Sequence, residues 1–496
     1  MLQNIEVIEY LKGIPFEQMI RDLFLYSTKE PWFFTEFSFL LVFGIFVFFY
    51  ALVFDWNIIR KCYLVAFSLF FYYKSSGPFL ALFITQVTCD YAFAQWIQKT
   101  HARSKKLLGF ISILFSLSFL MYFKYANFFI DNTNALLLTH FELVDLFLPI
   151  GISFYTFQSI SYLVDVYRGE IKASSNFLDY AFYMTFFPHL VAGPIVRASD
   201  FLGQVNHPAR PNALVFKESF VRIMLGLIKK LFIADYLAKY VDMVFASPSF
   251  YSGGENLLGV IAYTFQIYFD FSGYSDIAIG LALLVGYRLK ENFDNPYNAT
   301  NITVFWRKWH ISLSSWLRDY VYIPLGGNRK GEFNTYLFLL ITMLVGGFWH
   351  GASWKFVFWG FAHGIALGFH KLIKHRLPDN MLMNGLGWLS TFSFVSFCWI
   401  FFRSSDFNSA IEIIQRIGNH TLMNDFLGFW YSRFEVSLLL IGVFAIVLIP
   451  QGLKKWCIES LYLIPAFFWI FFLLIALQVI IQFKDEVVQP FIYFQF

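Results

Sequence analysis

Apolar residues dominate the chain in long runs that short polar stretches separate. The runs fall near residues 37–54, 62–73, 77–96, 107–130, 145–164, 177–190, 214–233, 258–285, 335–350, 353–370, 386–402, 436–450 and 461–483. Many are long enough to cross a hydrocarbon core of about 30 Å at about 1.5 Å per helical residue. No strand-like alternation accompanies them. The pattern predicts an all-α polytopic membrane protein.

Several of these runs are too short to span a membrane alone, and glycine interrupts others. This predicts broken or re-entrant helices, which are tolerated at membrane depth only when buried in protein or lining a cavity. There is no internal repeat and no low-complexity linker, so we expect one membrane domain over residues 37–486. Residues 1–36 mix charged and apolar residues without a signal-peptide pattern, which predicts an interfacial segment. Residues 487–496 form a short tail.

Composition supports the membrane interpretation. Of 496 residues, 58% are hydrophobic and only 14% are charged, too few charges to cover a soluble protein of this size. The net charge of +4 is interpreted through its location in cytoplasmic loops, and nucleic-acid binding is not indicated. The four cysteines are scattered without metal-site or redox spacing, so we predict no metal site.

Basic clusters set the expected orientation. They lie at residues 101–106, 328–330, 371–376 and 454–455, and basic loops mark the cytoplasmic side. Run 335–350 then leads outward and run 353–370 returns, which puts His350 at the apex of a hairpin. A helix over 335–350 would be about 24 Å long, so we expect this apex below the outer surface. The tail 487–496 is then external.

Two stretches carry the candidate chemistry. The first, "FWRKWHISLSSWLRDYVYIPLGGNRKG" (Phe305–Gly331), mixes aromatic and basic residues as interfacial helices do, and His310 is the residue that this explains least well. The second, "LVGGFWHGASWKF" (Leu344–Phe356), places His350 among glycines that allow close approach of helices or substrate. Two deep histidines suit either general-base catalysis or a proton relay in a transporter, and the residues alone do not choose.

Two further stretches have structural and functional interpretations. The run Tyr263–Gly286 contains Asp270 and Asp276, which either face a cavity or form structural ion pairs. In "FFPHLVAGPIVRASDF", Pro188 and Pro194 predict a re-entrant loop, and His189 is more typical of a structural histidine than of a catalytic one.

Several motifs together resemble one family. The segments "WRKWHISLSSWLRDYVYIPLGG" and "GGFWHGASW" are similar to the two signature segments of the membrane-bound O-acyltransferase (MBOAT) family. The segments "FPHLVAGPIVR", "YFDFSGYSDIAIGLA", "WIFFRSSDF" and the terminal "FIYFQF" resemble its bacterial branch, which includes the alginate O-acetyltransferase membrane subunit and the D-alanyl-teichoic-acid transferase. The resemblance covers about residue 40 to the end.

The resemblance implies a fold and an activity. The fold is a ring-like bundle of many tilted and re-entrant helices around a central funnel. The activity is transfer of an acyl group, expected to be acetyl, from a cytoplasmic thioester for O-acylation of a cell-envelope or secreted polysaccharide. D-alanyl transfer to teichoic acid, peptidoglycan O-acetylation and, from another class, a proton-coupled transporter are the alternatives. The donor would be acetyl-CoA or an acyl carrier protein thioester, with no tightly bound cofactor.

The resemblance also implies site residues and partners. His350 matches the family's near-invariant histidine and His310 its second signature position, and we expect Tyr493 in "FIYFQF" to receive the acyl group. The expected substrate-binding residues are Trp306, Arg307, Trp309, Asp276, Gly347 and Trp349. The expected location is the bacterial inner membrane. The expected partners are an external SGNH-hydrolase-like acyltransferase and a polysaccharide acceptor, besides membrane lipid.

Overall fold

The computed structural model describes residues 21, 23–28, 31–376, 378, 380–419, 421–465, 467–469, 471–472, 475, 478 and 491–492. In these ranges the chain forms helices and no strand. Five of the helices are long and apolar enough to cross a membrane, and a sixth span is possible if the bent pair Met423–Ser432 and Phe434–Leu448 counts as one. The prediction of an all-α multi-pass membrane protein is therefore confirmed.

The first third of the described chain forms seven helices. They are α1 Phe37–Val53, α2 Asn57–Ser76, α3 Leu80–Lys99, α4 Ala102–Leu120, α5 Ala126–Leu137, α6 Ile152–Arg168 and α7 Phe177–Thr185. A π-helical segment, Met121–Tyr125, joins α4 to α5.

The middle third contains the short and interrupted helices. They are α8 Phe187–Leu190, α9 Ala198–Val205, α10 Ala213–Leu227, α11 Asp235–Ala246, α12 Gly253–Leu284, α13 Ile302–Lys308, α14 Ile311–Leu317 and α15 Ile323–Leu325. Two π-helical segments, Ile228–Ala234 and Arg318–Tyr322, join α10 to α11 and α14 to α15.

The last third returns to longer helices. They are α16 Glu332–His350, α17 Trp354–Ile373, α18 Met381–Arg403, α19 Phe407–Asn419, α20 Met423–Ser432, α21 Phe434–Leu448 and α22 Gln451–Tyr462. The predicted run 461–483 is described only in part, at residues 461–465, 467–469, 471–472, 475 and 478, and most of segment 1–36 lies outside the described residues. The described end of that segment, Trp32 to Phe34, is buried in the core.

Helix α12 is the centre of the bundle, and most of its side chains are buried. Ser252 caps its first turn and Glu255 completes the capping box, which satisfies two N-terminal donors. Helices α10, α11, α18, α19 and α20 pack around it. The crossing with α10 is tight, since a Cβ at Gly226 would lie 2.6 Å from the carbonyl oxygen of Gly273.

The buried charges along α12 have counter-ions. Lys230 Nζ lies 2.7 Å from both Asp270 and Asp235, and Lys229 Nζ lies 2.5 Å from Asp276. Burying a charge is costly unless it is paired, so these contacts explain how α12 carries two carboxylates through the core. Both aspartates therefore form structural ion pairs, and the partners are lysines before α11.

Each of the four basic clusters contacts a neighbouring element. Lys371 Nζ donates to Asn328 Oδ1 at 2.7 Å, and Lys454 Nζ donates to Asn295 Oδ1 at 2.8 Å. Lys105 lies over the ring of Tyr167, at the end of α6.

We call the side of the bundle that carries Asn328 and Lys371 the basic side. The end of α6 is joined to it, because Arg168 Nη2 donates to Asp319 O at 3.4 Å, in the π-helical segment that precedes Asn328.

Helix α16 is longer than the sequence pattern predicted. It has 19 residues and a length of about 28 Å, because its first turn contains polar residues that a hydropathy run leaves out. This length nearly matches the hydrocarbon core of about 30 Å, so helix length alone does not place His350 far below the surface. The histidine is nevertheless only 4% exposed, because the surrounding helices cover it.

The hairpin of α16 and α17 depends on glycine contacts. A Cβ at Gly347 would collide with the carbonyl oxygen of Phe356, and its backbone touches Gly360 on the facing helix. Small residues at such crossings let helix backbones approach closely in a membrane. Gly347 is thus a packing residue.

Gly347→Leu is expected to destabilise the protein. Overpacking at this crossing should cost about 1–3 kcal/mol or more, because the colliding atom is backbone. The measurement is thermal unfolding of the detergent-purified protein. Gly442→Leu is the matched control, since a Cβ at Gly442 meets nothing within 4 Å. Equal melting temperatures for the two variants would contradict the packing role.

Candidate active site

His310 sits at a break in the backbone between α13 and α14. Its φ is 42° and its ψ is 58°, in the left-handed region that non-glycine residues rarely adopt. The side chain is fully buried. Such a conformation costs about 1–3 kcal/mol and persists only where the surroundings hold it. The sequence pattern, which favoured an interfacial helix here, did not predict this break.

Asn292 holds the break. Its backbone oxygen accepts from Ile311 N at 2.9 Å, and its Oδ1 accepts from Ser312 N at 3.2 Å and from Ser312 Oγ at 2.8 Å. His310 Nδ1 lies 3.2 Å from the same Oδ1. Since an amide oxygen only accepts, Nδ1 must carry the proton in this contact, and Nε2 is left as the basic nitrogen of a neutral ring.

His350 is the last residue of α16 and is enclosed by aromatic rings. The ring centroids of Trp349, Trp359 and Phe402 lie 5.0, 5.0 and 5.2 Å from that of His350. Trp349 also lies 6.2 Å from His310. The structure therefore brings the two histidines, forty residues apart in sequence, next to the same indole, that of Trp349.

A cavity of about 300 Å³ reaches His350, and we call it the histidine cavity. Its lining residues are Pro31, Phe33, Lys124, Leu146, Phe147, Leu148, Pro149, Ile150, Gly151, Ile152, Ser153, Phe154, Trp349 and His350. It lies at the C-terminal end of α16 and the N-terminal end of α6. Both helices have their other ends on the basic side, so this cavity belongs to the opposite side.

A cavity of about 640 Å³ opens on the basic side, and we call it the basic cavity. Its cationic lining residues are Arg307, Arg318, Lys371 and Lys374. A neighbouring cavity of about 380 Å³ adds Arg197, Arg288 and Lys290 and shares Ile311, Ser315 and Arg318 with the basic cavity. Neither shares a lining residue with the histidine cavity. Both are lined by Ile311, the residue that follows His310.

The structure divides the predicted substrate-binding residues. Trp306 and Arg307 line the basic cavity, and Trp349 lines the histidine cavity. Trp309 is instead buried against Phe305 and Trp399, with ring centroids 5.5 and 5.1 Å away. It therefore lines none of these three cavities.

Two other predicted substrate-binding residues also lie elsewhere. Asp276 pairs with Lys229 and lies 3.9 Å from Arg222, away from both histidines. Gly347 faces the α17 crossing. Neither lines any of the three cavities.

The C-terminal motif enters the core next to the site. Phe491 packs against Phe271 and Tyr274, with ring centroids 5.3 and 4.9 Å away. Ile492 N donates to Asp270 Oδ2 at 2.8 Å. Phe271 in turn lies 4.6 Å from the ring of His310. Tyr493 itself lies outside the described residues, and its role stays a prediction.

Sequence reasoning missed three residues around the histidines. Asn292 lies in a polar loop without a motif, so nothing marked it. Lys124 interrupts an apolar run. An ionisable residue in such a run usually marks a functional site, so the sequence does contain a signal for this residue. His363 is buried on α17 and accepts from Trp306 Nε1 at 3.3 Å, and its ring lies 4.6 Å from Trp359.

Comparison with known proteins agrees with this arrangement. The model of the membrane-bound O-acyltransferase family matches residues 170–411, a range that contains both histidines. A probable alginate O-acetylase of Pseudomonas putida is 46% identical over 365 residues, which cover 71% of this chain and 74% of the relative. The chain belongs to the membrane-bound O-acyltransferase family. It is therefore an acyltransferase, and the family decides against the transporter alternative.

Two further relatives have names that specify other acceptors. A peptidoglycan O-acetyltransferase of Helicobacter pylori is 38% identical over 384 residues, which cover 72% of this chain and 73% of the relative. A teichoic acid D-alanyltransferase of Streptococcus thermophilus is 31% identical over 283 residues, which cover 51% of this chain and 68% of the relative. The family is thus clear, while its members differ in the acyl group and the acceptor.

Asn292→Leu is expected to lower kcat by tenfold or more, because His310 loses the contact that orients its ring. The loss should stay below the roughly 10²–10⁴-fold typical of removing a general acid or base. Acyl transfer by the single and double variants with His310→Ala measures the coupling, and the double variant should be no slower than His310→Ala. Asn256→Leu, at a buried asparagine that donates to Pro248 O, controls for stability. Additive effects would contradict the assignment.

Proposed function

We propose that the protein transfers an acetyl group from a cytoplasmic thioester, across the membrane, for O-acetylation of a cell-envelope or secreted polysaccharide. The observation that carries this is the pair of separate cavity systems along α16, one at Leu339–Met343 and the other at Trp349 and His350, with His310 packed beside Trp349. A donor and an acceptor that cannot mix in solution can meet only between two such cavities. The membrane would be the bacterial inner membrane.

The basic cavity is the proposed entrance for the donor. Acetyl-CoA and acyl carrier proteins both present the thioester on a phosphopantetheine arm, and the phosphate carries negative charge. Arg307, Arg318, Lys371 and Lys374 give this cavity four cationic lining residues. Arginine and lysine bind phosphate through charge-assisted hydrogen bonds. The arm would then reach toward Ile311, next to His310.

Acetyl is the proposed acyl group because the more similar relatives are named for acetylation. Identity is 46% to the probable alginate O-acetylase, 38% to the peptidoglycan O-acetyltransferase and 31% to the D-alanyltransferase. A polysaccharide is the proposed final acceptor. An external SGNH-hydrolase-like acyltransferase is the proposed partner, which would carry the group from this protein to the polymer.

His350 is the proposed general base. The acceptor hydroxyl gives its proton to the imidazole as its oxygen attacks the thioester carbonyl carbon, and the departing thiolate takes that proton back. His310 would orient the donor carbonyl or assist the proton transfer, with Nε2 as its basic nitrogen. Trp349 would hold the reacting groups between the two rings.

Tyr493 is the proposed first acceptor. A phenol with a pKa near 10 needs a base to become a nucleophile, and the histidines would supply it. The contacts of Phe491 and Ile492 support this proposal, because they dock the preceding residues of the motif one ring from His310. The resulting phenyl ester would be reactive enough to pass its acetyl group to the external partner.

His350→Ala is expected to reduce acetyl transfer by roughly 10²–10⁴-fold while the protein still inserts and purifies. Transfer of radiolabel from acetyl-CoA, or from an acetylated carrier protein, to the protein and its product in membrane vesicles measures it. His189→Gln is the matched control, since His189 is buried, lines none of the three cavities, and has its Nε2 2.9 Å from Tyr183 O. Near-wild-type turnover in His350→Ala would end the assignment.

Mass spectrometry of the C-terminal peptide tests Tyr493. After incubation with donor, Tyr493 should carry an added acetyl group, and Tyr493→Phe should lose both the modification and transfer. The His350→Ala protein should leave the peptide unmodified. An unmodified peptide together with full activity in Tyr493→Phe would reduce the tyrosine to an anchor.

A further inference from the structure

The π-helical segment Met121–Tyr125 covers the end of the helix that carries His350. Tyr125 Oη donates to Phe348 O at 2.8 Å, and Lys124 Nζ donates to Trp349 O at 2.8 Å and to His350 O at 2.9 Å. The last carbonyls of a helix have no partner within the helix, so the segment satisfies three of them. π-helical turns of this kind occur frequently at functional sites.

Capping alone does not explain a lysine at this position. The hydroxyl of Tyr125 caps one of the three carbonyls without charge, and a neutral donor would serve the other two. Lys124 instead brings an ammonium group into the wall of the histidine cavity, where it lies 5.9 Å from the centroid of Trp349. A cation in an apolar bundle is costly, which indicates a use for the charge.

The neighbours of Lys124 are neutral. Its hydrogen-bond partners are the two carbonyls and Ser153 Oγ, and in the described part of the chain no carboxylate lies within 4 Å of its Nζ. The lysines at 229 and 230 differ in this respect, because each has an aspartate within 2.7 Å. The charge of Lys124 is thus not neutralised by a fixed side chain near it.

One N–H of Lys124 is only weakly engaged. An ammonium has three donors, and two are used at ordinary distances. The third contact, to Ser153 Oγ, is 3.5 Å long, at the limit of a hydrogen bond. Lys124 and His350 line the same cavity. An oxygen bound beside His350 can therefore replace Ser153 Oγ as the acceptor of the third N–H.

We propose that Lys124 binds the oxyanion that forms during acyl transfer. The inference rests on the proposed function. As the acceptor hydroxyl gives its proton to His350, its oxygen bonds to the thioester carbonyl carbon, and the carbonyl electron pair moves onto oxygen. Lys124 Nζ–H donates to that oxygen. When the carbonyl re-forms, the C–S bond breaks and the thiolate takes the proton from the imidazolium.

Three substitutions separate the charge from the cap. Lys124→Gln keeps donors for the carbonyls but removes the charge, and Lys124→Arg keeps the charge. Lys355→Met is the control, because Lys355 is also buried and donates to a carbonyl after a helix end, Ser404 O, but lines no part of the histidine cavity.

The expected result is a split between kcat and KM. Lys124→Gln should lower kcat by roughly 10²–10³-fold, as loss of one oxyanion donor does, with the donor KM within about threefold of wild type. Lys124→Arg should recover much of the loss. Lys355→Met should change thermal stability more than kcat. Full kcat in Lys124→Gln would overturn the proposal and leave the lysine as a helix cap.

Methylphosphonate, a small tetrahedral anion, tests the site without any acyl donor. It should raise the melting temperature of the wild type and of Lys355→Met, and this shift should vanish in Lys124→Gln. This measurement does not depend on acetyl transfer. Failure of the proposed function and failure of this inference are therefore distinguishable. An equal shift in Lys124→Gln, or none in the wild type, would overturn anion binding here.

Discussion

The break in the backbone at His310 is held by Asn292, and the division of the molecule into two cavity systems depends on it. A helix break inside a membrane must satisfy its own polar groups, because no water is present to do so. Asn292 does this with one backbone and one side-chain oxygen, which together accept from Ile311, Ser312 and His310. Without that support, these hydrogen bonds would not hold the strained backbone of His310 between α13 and α14. With it, Ile311 lines the basic cavity and the imidazole of the preceding residue, His310, is buried.

Indole hydrogen bonds connect the helices around this site. Trp316 Nε1 donates to Phe157 O at 3.0 Å, and Trp349 Nε1 donates to Ser153 O at 3.4 Å. Both acceptors are on α6, and Phe157 stacks on Trp316 with a centroid distance of 3.8 Å. Three elements, α6, α14 and α16, are thereby held in one register. Aromatic pairs add stability beyond the area that they bury, and a buried indole needs an acceptor for its N–H. These bonds hold Trp349, which lies beside both histidines, against α6.

Hydropathy predicted the helices well, and local motifs predicted the two histidines, because both signals are short-range. The break at His310 was missed because its support, Asn292, is eighteen residues away in a loop without any pattern. Trp309 and Asp276 were assigned to substrate from their neighbourhood in sequence, but Trp309 turns into the core and Asp276 pairs with Lys229. Gly347 was predicted to bind substrate. In the structure a glycine is needed there because the backbone of Gly360 on the facing helix lies too close for a side chain. These differences between sequence and structure share one cause, since only the three-dimensional packing decides which face of a helix borders a cavity.

The ion pairs around α12 connect the tail to the active site. Asp270 receives Lys230 on one oxygen and the N–H of Ile492 on the other, at 2.7 and 2.8 Å. A carboxylate without Lys230 would be too costly to bury here, and a tail without Asp270 would leave a backbone N–H unsatisfied in the core. The charged pair therefore provides a polar anchor for the backbone of Ile492, whose neighbour Phe491 packs among aromatic rings. Because Phe271, the next residue on α12, contacts both Phe491 and His310, the anchor sets the distance between Phe491 and the imidazole of His310. Phe491 and Ile492 are thus positioned by the same helix that packs against His310.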